Sequence, residues 1–91
     1  MTQLLKDILQ GDDLLKGLNA VLLWDEVVDR KIQKHTRAVK LQRKALYVVV
    51  ESSTWASELN FFKKELLEKI NSKAGYEAVR DIRFKVGEIK G

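Results

Sequence analysis

The stretch VVVESSTWASEL, residues 48–59, marks the point at which the chain changes from a strand to a helix. It overlaps the run ALYVVV, residues 45–50, in which β-branched and aromatic residues predominate. Such a run is typical of a strand covered on both faces, so we expect it at the centre of a sheet. The sequence then predicts a core helix that ends at Gly75. Its apolar stripe has helical spacing and contains Trp55, Leu59, Phe62, Leu66 and Ile70.

Three hydroxyl side chains, Ser52, Ser53 and Thr54, lie between this strand and this helix. A serine nucleophile needs a base and an oxyanion site, but the chain has one histidine, His35, and no glycine beside the serines. Ser52 or Ser53 is better interpreted as the cap of the helix, whose first N–H groups lack partners. Trp55 then either anchors the first turn in the core or, if partly exposed, stacks on a nucleic-acid base. We therefore expect a protein that is not an enzyme.

The composition is that of one small domain, which we place at residues 1–91. The chain has no cysteine, so disulfides and zinc-thiolate sites are excluded, and we expect neither a metal nor another cofactor. No apolar run approaches the roughly 18 residues of a membrane span, and the N-terminus does not have the pattern of a signal peptide. We therefore expect a cytoplasmic protein.

Positive charge is concentrated in one segment, RKIQKHTRAVKLQRK, residues 30–44. This segment has seven basic residues and no acidic one, whereas the rest of the chain has ten basic and thirteen acidic residues. A local basic patch attracts phosphate backbones, because neutralising phosphates releases their counterions. The alternative is a solvated surface of a helix and an edge strand, where lysines also discourage edge-to-edge association.

Upstream of the central strand the sequence predicts two helices. Residues 2–10 form a short helix, and Asp12 or Asp13 caps the next one. The second helix is expected to run to about His35, where a protonated imidazole would suit the helix dipole, and Gly17 is the point at which it bends or splits. Its apolar face is expected to contain Leu14, Leu18, Val21, Leu22, Trp24, Val28 and Ile32.

Two further strands are predicted on either side of this central run in the sequence. Residues 37–41 alternate in polarity, with Val39 and Leu41 on one side. The connection after them, QRK at 42–44, has no glycine and is a poor signal for a two-residue hairpin. In the last strand Ile82, Phe84 and Val86 point one way, and Asp81, Arg83 and Lys85 the other. The predicted order α-(α)-β-β-α-β belongs to the α+β class, with a three-stranded sheet packed by amphipathic helices.

Five segments, taken in their order and spacing, resemble the DciA family of bacterial replicative-helicase loaders. They are LLWDEVV (22–28), KHTRAVKL (34–41), ALYVVVESSTWASEL (45–59), ELLEKINSKAG (65–75) and IRFKVG (82–87). The resemblance thus covers residues 22–87. Asp29 and Lys44 stand where glycine is common in that family, and Ala38 where proline is common, so the local turn geometry is expected to differ there.

This resemblance implies a KH-like αββαβ domain, in which residues 12–87 are the family-like core and residues 1–11 carry the short helix predicted above. It also implies binding to a DnaB-type replicative helicase and to single-stranded DNA, without nucleotide hydrolysis by the loader, and a place at replication sites in the nucleoid. The chain has no Gly-x-x-Gly, the loop by which typical KH domains clamp a nucleic-acid backbone. Its nucleic-acid surface therefore need not be that of a typical KH domain.

The leading hypothesis is a non-enzymatic replication factor that binds the replicative helicase and single-stranded DNA. One alternative is a protein-interaction adaptor that uses an exposed helix face, and another is a KH-like RNA-binding module. Trp24 and Trp55 are candidates for a structural role or for base stacking. The residues expected to contact phosphates are Arg30, Lys31, Lys34, Arg37, Lys40, Arg43 and Lys44, with Lys63 and Lys64.

Overall fold

The computed structural model describes residues 17–89, which contain four helices and three strands in the predicted order. The first helix, α1, covers residues 17–27 of this range. The other elements are α2 (Arg30–His35), β1 (Thr36–Gln42), β2 (Ala45–Val50), α3 (Ser53–Phe61), α4 (Lys63–Ala74) and β3 (Asp81–Val86). The α+β class is confirmed. The predicted helix 2–10, the caps Asp12 and Asp13, and Leu14 lie outside the described residues.

The predicted central position of β2 is confirmed, because the strand order is β1-β2-β3. β2 pairs antiparallel with β1, starting with Thr36 opposite Val50, and parallel with β3, starting with Ala45 opposite Asp81. A parallel pair needs a crossover connection, which α3 and α4 provide. This arrangement is compatible with a KH-like fold. Within residues 17–89, no helix is both long and apolar enough to cross a membrane.

The core lies between the helices and one face of the sheet. On that face Leu46, Val48 and Val50 are fully buried, whereas Tyr47 and Val49 on the opposite face are only partly buried. The central strand is therefore completely covered on one face and half-covered on the other. The helices contribute Ala20, Leu23, Trp24, Leu59, Leu66 and Ile70 to this core.

Trp24 joins α1 to the sheet through a buried polar contact. The ring is fully buried, and its Nε1–H donates to Oγ1 of Thr36 at 3.0 Å. The Thr36 hydroxyl in turn donates to the carbonyl of Ile32 at 2.8 Å. Each buried polar group therefore has a partner, as burial away from water requires. This chain of contacts connects α1, α2 and β1.

The predicted second helix is interrupted at Val28 and Asp29. Gly17 is the first described residue, so the predicted bend or split there stays a prediction. Asp29 is extended, at φ −74° and ψ 170°, and its carboxylate accepts from the Ile32 N–H at 2.9 Å, so it caps α2. The Gln33 amide donates to the carbonyls of Asp25 and Val28 at the end of α1. An acidic N-cap and a side-chain donor thus stabilise a break that hydrophobic periodicity does not reveal.

The predicted apolar face of α1 is wrong at two positions, since Leu18 and Leu22 are exposed. The buried face contains Trp24, as predicted, together with Ala20 and Leu23, which the prediction omitted. Two overlapping apolar stripes run along this helix, and the stripe that contains the large indole buries more apolar surface, so it faces the core.

The predicted core helix after β2 is also two helices, and Phe62, expected in the core, is 48% exposed. Phe62 lies between α3 and α4 at φ −97° and ψ 11°, and its N–H donates to the carbonyl of Leu59, three residues earlier. This tighter turn shifts the phase of the apolar stripe. Leu59, Leu66 and Ile70 remain buried as predicted, whereas Phe61 and Phe62 face solvent.

A β-bulge in β1 overturns the predicted inward position of Val39. The pairing register with β2 shifts between Ala38 and Lys40. Ala38 is buried, Val39 and Lys40 are exposed, and Leu41 packs against the core. Because a bulge adds one residue to one strand, the simple alternation assumed from the sequence fails across it. The extra residue is Val39, which has no partner in the β1–β2 register.

The β1–β2 connection is a two-residue turn despite its weak sequence signal. Gln42 pairs with Ala45, and the intervening Arg43 and Lys44 have φ of 51° and 63°. Two-residue hairpins favour Asn-Gly or Gly-Gly because L-residues with a Cβ are strained at positive φ. Lys44 thus occupies a backbone conformation that glycine adopts more easily.

The predicted caps of the helices after β2 are confirmed. Ser52 caps α3, since its Oγ accepts from the Trp55 N–H at 3.2 Å, and Gly75 ends α4 in the left-handed conformation at φ 84°. Ile82 is buried and Phe84 packs against the core, but Val86, predicted to point the same way, is 51% exposed. Val86 is the last residue of β3, where the helical layer no longer covers the strand.

Candidate nucleic-acid interface

The seven basic residues of segment 30–44 are all exposed, and the fold distributes them over three places. Arg30, Lys31 and Lys34 are on α2, Arg37 and Lys40 are on β1, and Arg43 and Lys44 form the turn. The segment is therefore continuous in sequence but not a single flat patch, and each of its three parts has its own neighbours.

On the sheet, the two β1 cations share a face with residues of the other strands. Arg37 lies opposite Val49, and Lys40 lies opposite Tyr47. On the other side of β2, Tyr47 pairs with Arg83 and Val49 with Lys85. Directly paired residues project to the same side of a sheet. We call this surface the open sheet face and define it by Arg37, Lys40, Tyr47, Val49, Arg83 and Lys85.

Lys40 and Tyr47 contact each other on the open sheet face. The Lys40 Nζ lies 4.9 Å from the centroid of the Tyr47 ring. This distance is typical of a cation–π interaction, which is worth about 0.5–1 kcal/mol at an exposed site. The contact holds a positive charge directly over the aromatic side chain at the centre of this face.

Lys63 is separated from the basic segment and is engaged by an acid. Its Nζ lies 2.9 Å from Oδ1 of Asp81, at the start of β3, and Arg83 Nε lies 3.5 Å from the other carboxylate oxygen. The hydrogen bond from Lys63 lowers the pKa of the Asp81 carboxyl below its ordinary value, although burial opposes this effect. Lys64, the next residue on α4, is exposed. The predicted phosphate contact by Lys63 would thus have to compete with this ion pair.

The two tryptophans differ in what they offer to a base. Trp24 is fully buried, so its role in this fold is structural and its ring presents no face for stacking. Trp55 is half-buried and stacks on the imidazole of His35, with ring centroids 4.8 Å apart and an interplanar angle of 19°. His35 ends α2 as predicted, and its Nδ1 lies 2.6 Å from Oε2 of Glu51. One face of Trp55 is therefore already covered by the histidine.

The hydroxyl cluster is organised as a helix start. Ser52 accepts a backbone N–H, Ser53 is the first residue of α3, and Thr54 is exposed on its first turn. Within residues 17–89, no group of three or more His, Cys, Asp or Glu side chains is placed to hold a metal ion.

Sequence reasoning did not include Tyr47, Arg83 and Lys85 among the candidate binding residues. Arg83 and Lys85 were expected to point away from Ile82 and Phe84, and that alternation was the available signal. The alternation within β3 does not show which residues of another strand lie beside these two cations. The parallel β2–β3 register shows that they lie beside Tyr47 and Val49. The pairing of distant strands therefore extends the basic surface beyond the segment that composition identifies.

Comparison with known proteins agrees with the resemblance found in the sequence. The model of the family described as "Dna[CI] antecedent, DciA" matches residues 1–84. The chain is similar to UPF0232 proteins, with 32% identity to that of Corynebacterium glutamicum (strain R) and 35% to that of Mycobacterium bovis (strain BCG / Tokyo 172). Each match covers 61 residues, which are 67% of this chain and 34% and 33% of the two relatives. The chain thus spans about a third of the length of these relatives.

Proposed function

The chain belongs to the DciA family, and on this premise we propose that it is a non-enzymatic factor in bacterial DNA replication that promotes the loading of a DnaB-type helicase on single-stranded DNA. The proposal gives the domain two binding tasks, one for DNA and one for the helicase. Different surfaces of the described residues support each task.

The exposed positive charge is the observation that supports DNA binding most strongly. All seven basic residues of segment 30–44 are exposed, and the parallel register adds Arg83 and Lys85 on the neighbouring strand. A phosphate backbone is the ligand that such a surface attracts best, because binding releases condensed counterions. If about four of these side chains neutralise phosphates, log affinity should fall with log salt at a slope near −3 for a single strand.

Exposed aromatic side chains support contact with a protein partner. Phe61 is 84% exposed and Phe62 is 48% exposed, and their rings meet edge to face with centroids 5.4 Å apart. Large aromatic residues are enriched at the centres of protein interfaces. We assign the helicase contact to this pair, at the junction of α3 and α4.

The direct test is helicase unwinding of a DNA substrate that is already coated with single-strand-binding protein. We expect the chain to stimulate unwinding, and we expect the Phe61→Ser/Phe62→Ser variant to lose this effect while it retains affinity for single-stranded DNA. Tyr76→Ser is the matched control, because Tyr76 is 49% exposed and lies just beyond the opposite end of α4. A chain that binds DNA but never stimulates unwinding would contradict the loading function.

The exposed Phe61–Phe62 pair also favours a second candidate, a pure protein-interaction adaptor for which DNA contact is incidental. The two functions differ in their dependence on charge. Helicase pull-down and stimulation that both survive replacement of Arg37, Lys40 and Arg43 by glutamate would support the adaptor. Loss of stimulation with retained pull-down would support the loader.

A further inference from the structure

We propose that single-stranded DNA lies on the open sheet face, with Tyr47 stacking on a base and the four surrounding cations contacting phosphates. This inference rests on the DNA-binding part of the proposed function, and it assigns that activity to a particular surface. The assignment differs from one centred on α2 and the turn, which carry five of the seven basic residues of segment 30–44.

The first argument is the arrangement of charge around an apolar centre. Each of two adjacent rows across the sheet has a cation on β1, an apolar or aromatic residue on β2 and a cation on β3. Neighbouring strands are about 4.8 Å apart, so the cations of one row flank the central residue at roughly 10 Å from each other. The rows are Arg37–Val49–Lys85 and Lys40–Tyr47–Arg83.

This combination fits a single strand better than a duplex. In a single strand the bases are free to stack on a side chain, while the phosphates follow a positively charged groove. In a duplex the bases are already stacked on each other, and only the phosphates and groove edges are accessible. Tyr47 and Val49 are half-buried at the centre of the face, where an unpaired base would cover their remaining exposed surface.

A base that stacks on Tyr47 would replace the Lys40 ammonium that contacts this ring in the free protein. In the free protein the ammonium lies over the ring at 4.9 Å. Stacking one base is worth about 5- to 150-fold in affinity, compared with about 2- to 5-fold for an exposed cation–π contact. A base can therefore displace the ammonium with a net gain. The flexible lysine side chain then moves from the ring to a neighbouring phosphate.

The groove between α3 and β3 is a weaker candidate for the same ligand. Its lining includes Asn60, Lys63 and Asp81, and the last two form the 2.9 Å ion pair. A phosphate in that groove would meet the Asp81 carboxylate and would compete with it for Lys63. The open sheet face borders the same carboxylate at Arg83, whose Nε lies 3.5 Å from Asp81 Oδ2, but Lys40 contacts the Tyr47 ring instead.

The test is fluorescence anisotropy of a labelled oligothymidylate with the whole chain, measured over a series of salt concentrations. Tyr47→Ala should lower affinity at least 5-fold, whereas Tyr47→Phe should remain within about 2-fold of the unchanged protein because it retains the ring. Arg83→Gln/Lys85→Gln should reduce the magnitude of the salt slope by about 1.4, since two phosphate contacts are lost. Both cations are exposed, so this double variant tests the surface even if Tyr47→Ala does not fold.

The matched control is Lys69→Gln/Lys73→Gln, which removes the same charge from exposed positions on α4 in the helical layer. It should leave the salt slope unchanged. Unchanged affinity in all open-face variants, with a loss in Arg30→Gln/Lys31→Gln, would overturn the site but leave DNA binding intact. A flat salt response of the unchanged protein would overturn both the site and the DNA-binding function. Stronger binding of oligouridylate than of oligothymidylate would overturn the choice of DNA.

Discussion

Lys44 is held in a backbone conformation that its side chain opposes, and replacing it with glycine should stabilise the domain. The residue has φ 63° and follows Arg43 at φ 51° in the β1–β2 turn. Its carbonyl accepts from the N–H groups of Arg80 at 2.7 Å and Asp81 at 3.2 Å, which fixes the start of β3. Glycine retains this carbonyl, so the substitution relieves the strain without removing the contact that requires the conformation.

The expected gain is the difference between two opposing terms. An L-residue with a Cβ in the left-handed region costs roughly 1–2 kcal/mol. Glycine adds about 0.4–1 kcal/mol of conformational entropy to the unfolded chain, which must be lost on folding. The midpoints of these two ranges differ by about 0.8 kcal/mol, so Lys44→Gly should be more stable than Lys44→Ala by about that amount. For a domain of this size that is an increase in Tm of roughly 3–6 °C.

Lys44→Ala is the reference for this experiment because it removes the same charge and the same side-chain contacts but keeps the Cβ. Urea and thermal unfolding of the two variants then isolate the effect of the backbone. If Lys44 contacts phosphate, both variants should lose the same DNA affinity. A glycine variant no more stable than the alanine variant would show that the positive φ carries no appreciable strain and that this reasoning is wrong.

Three further predictions concern polar groups that the fold depends on. Ser52→Ala should lower the free energy of unfolding by about 1 kcal/mol in urea denaturation because α3 loses its N-cap, whereas Ser52→Asp should largely retain it. Thr36→Val should cost about 1–3 kcal/mol, since the buried Trp24 N–H loses its acceptor. Trp24→Phe should then cost less in the Thr36→Val variant than in the unchanged protein, and an additive double variant would contradict this coupling. The pKa of Asp81 is lower in the folded chain than its ordinary value, near 4. The ionised carboxylate therefore stabilises the fold above that ordinary value, and this stabilisation is lost as the pH falls through the lower pKa of the folded state. Unfolding measured between pH 7 and 2 should show a shallower acid limb for Asp81→Asn, by no more than about 1 kcal/mol because the pair with Lys63 is partly exposed.

The sequence was sufficient for the order of elements and for the centre of the core. The run at 45–50 correctly predicts a central strand, and the predicted limits of the helical region after it, Ser52 or Ser53 and Gly75, include the observed caps Ser52 and Gly75. These features follow from local chemistry: β-branched residues, a side-chain acceptor and a residue without a Cβ. Each signal is contained within a few residues, so no knowledge of distant contacts is needed to interpret it.

The errors occurred where a change of backbone phase interrupts a regular pattern. A one-residue bulge at Ala38/Lys40 turned Val39 outward, and a tight turn at Phe62 divided one apolar stripe between α3 and α4. At Leu22 two stripes competed, and only packing against the sheet decides between them. A fixed period, whether 2 or 3.6, continues through such interruptions and assigns the wrong side to the residues beyond them.

The sequence predicts only part of the candidate site, because the rest depends on how the strands pair. Local composition correctly identifies the exposed positive charge of segment 30–44. It cannot bring Arg83 and Lys85 to Tyr47, because that neighbourhood depends on a parallel pairing between strands about 36 residues apart in the chain. The ion pair of Lys63 with Asp81 likewise depends on how α4 packs beside β3. The position of the basic segment can thus be predicted from local sequence, whereas the residues that share a face with it depend on the tertiary structure.

The positions of the two proposed binding surfaces bear on how loading would work. Phe61 and Phe62 belong to the helical layer, which covers one side of the sheet, whereas Tyr47 and its flanking cations lie on the opposite, half-covered side. A helicase bound at the Phe pair therefore need not displace DNA from the open sheet face. If the two ligands bind independently, the affinity for DNA should be the same with and without the helicase, and the domain then acts by raising the local concentration of DNA beside the helicase.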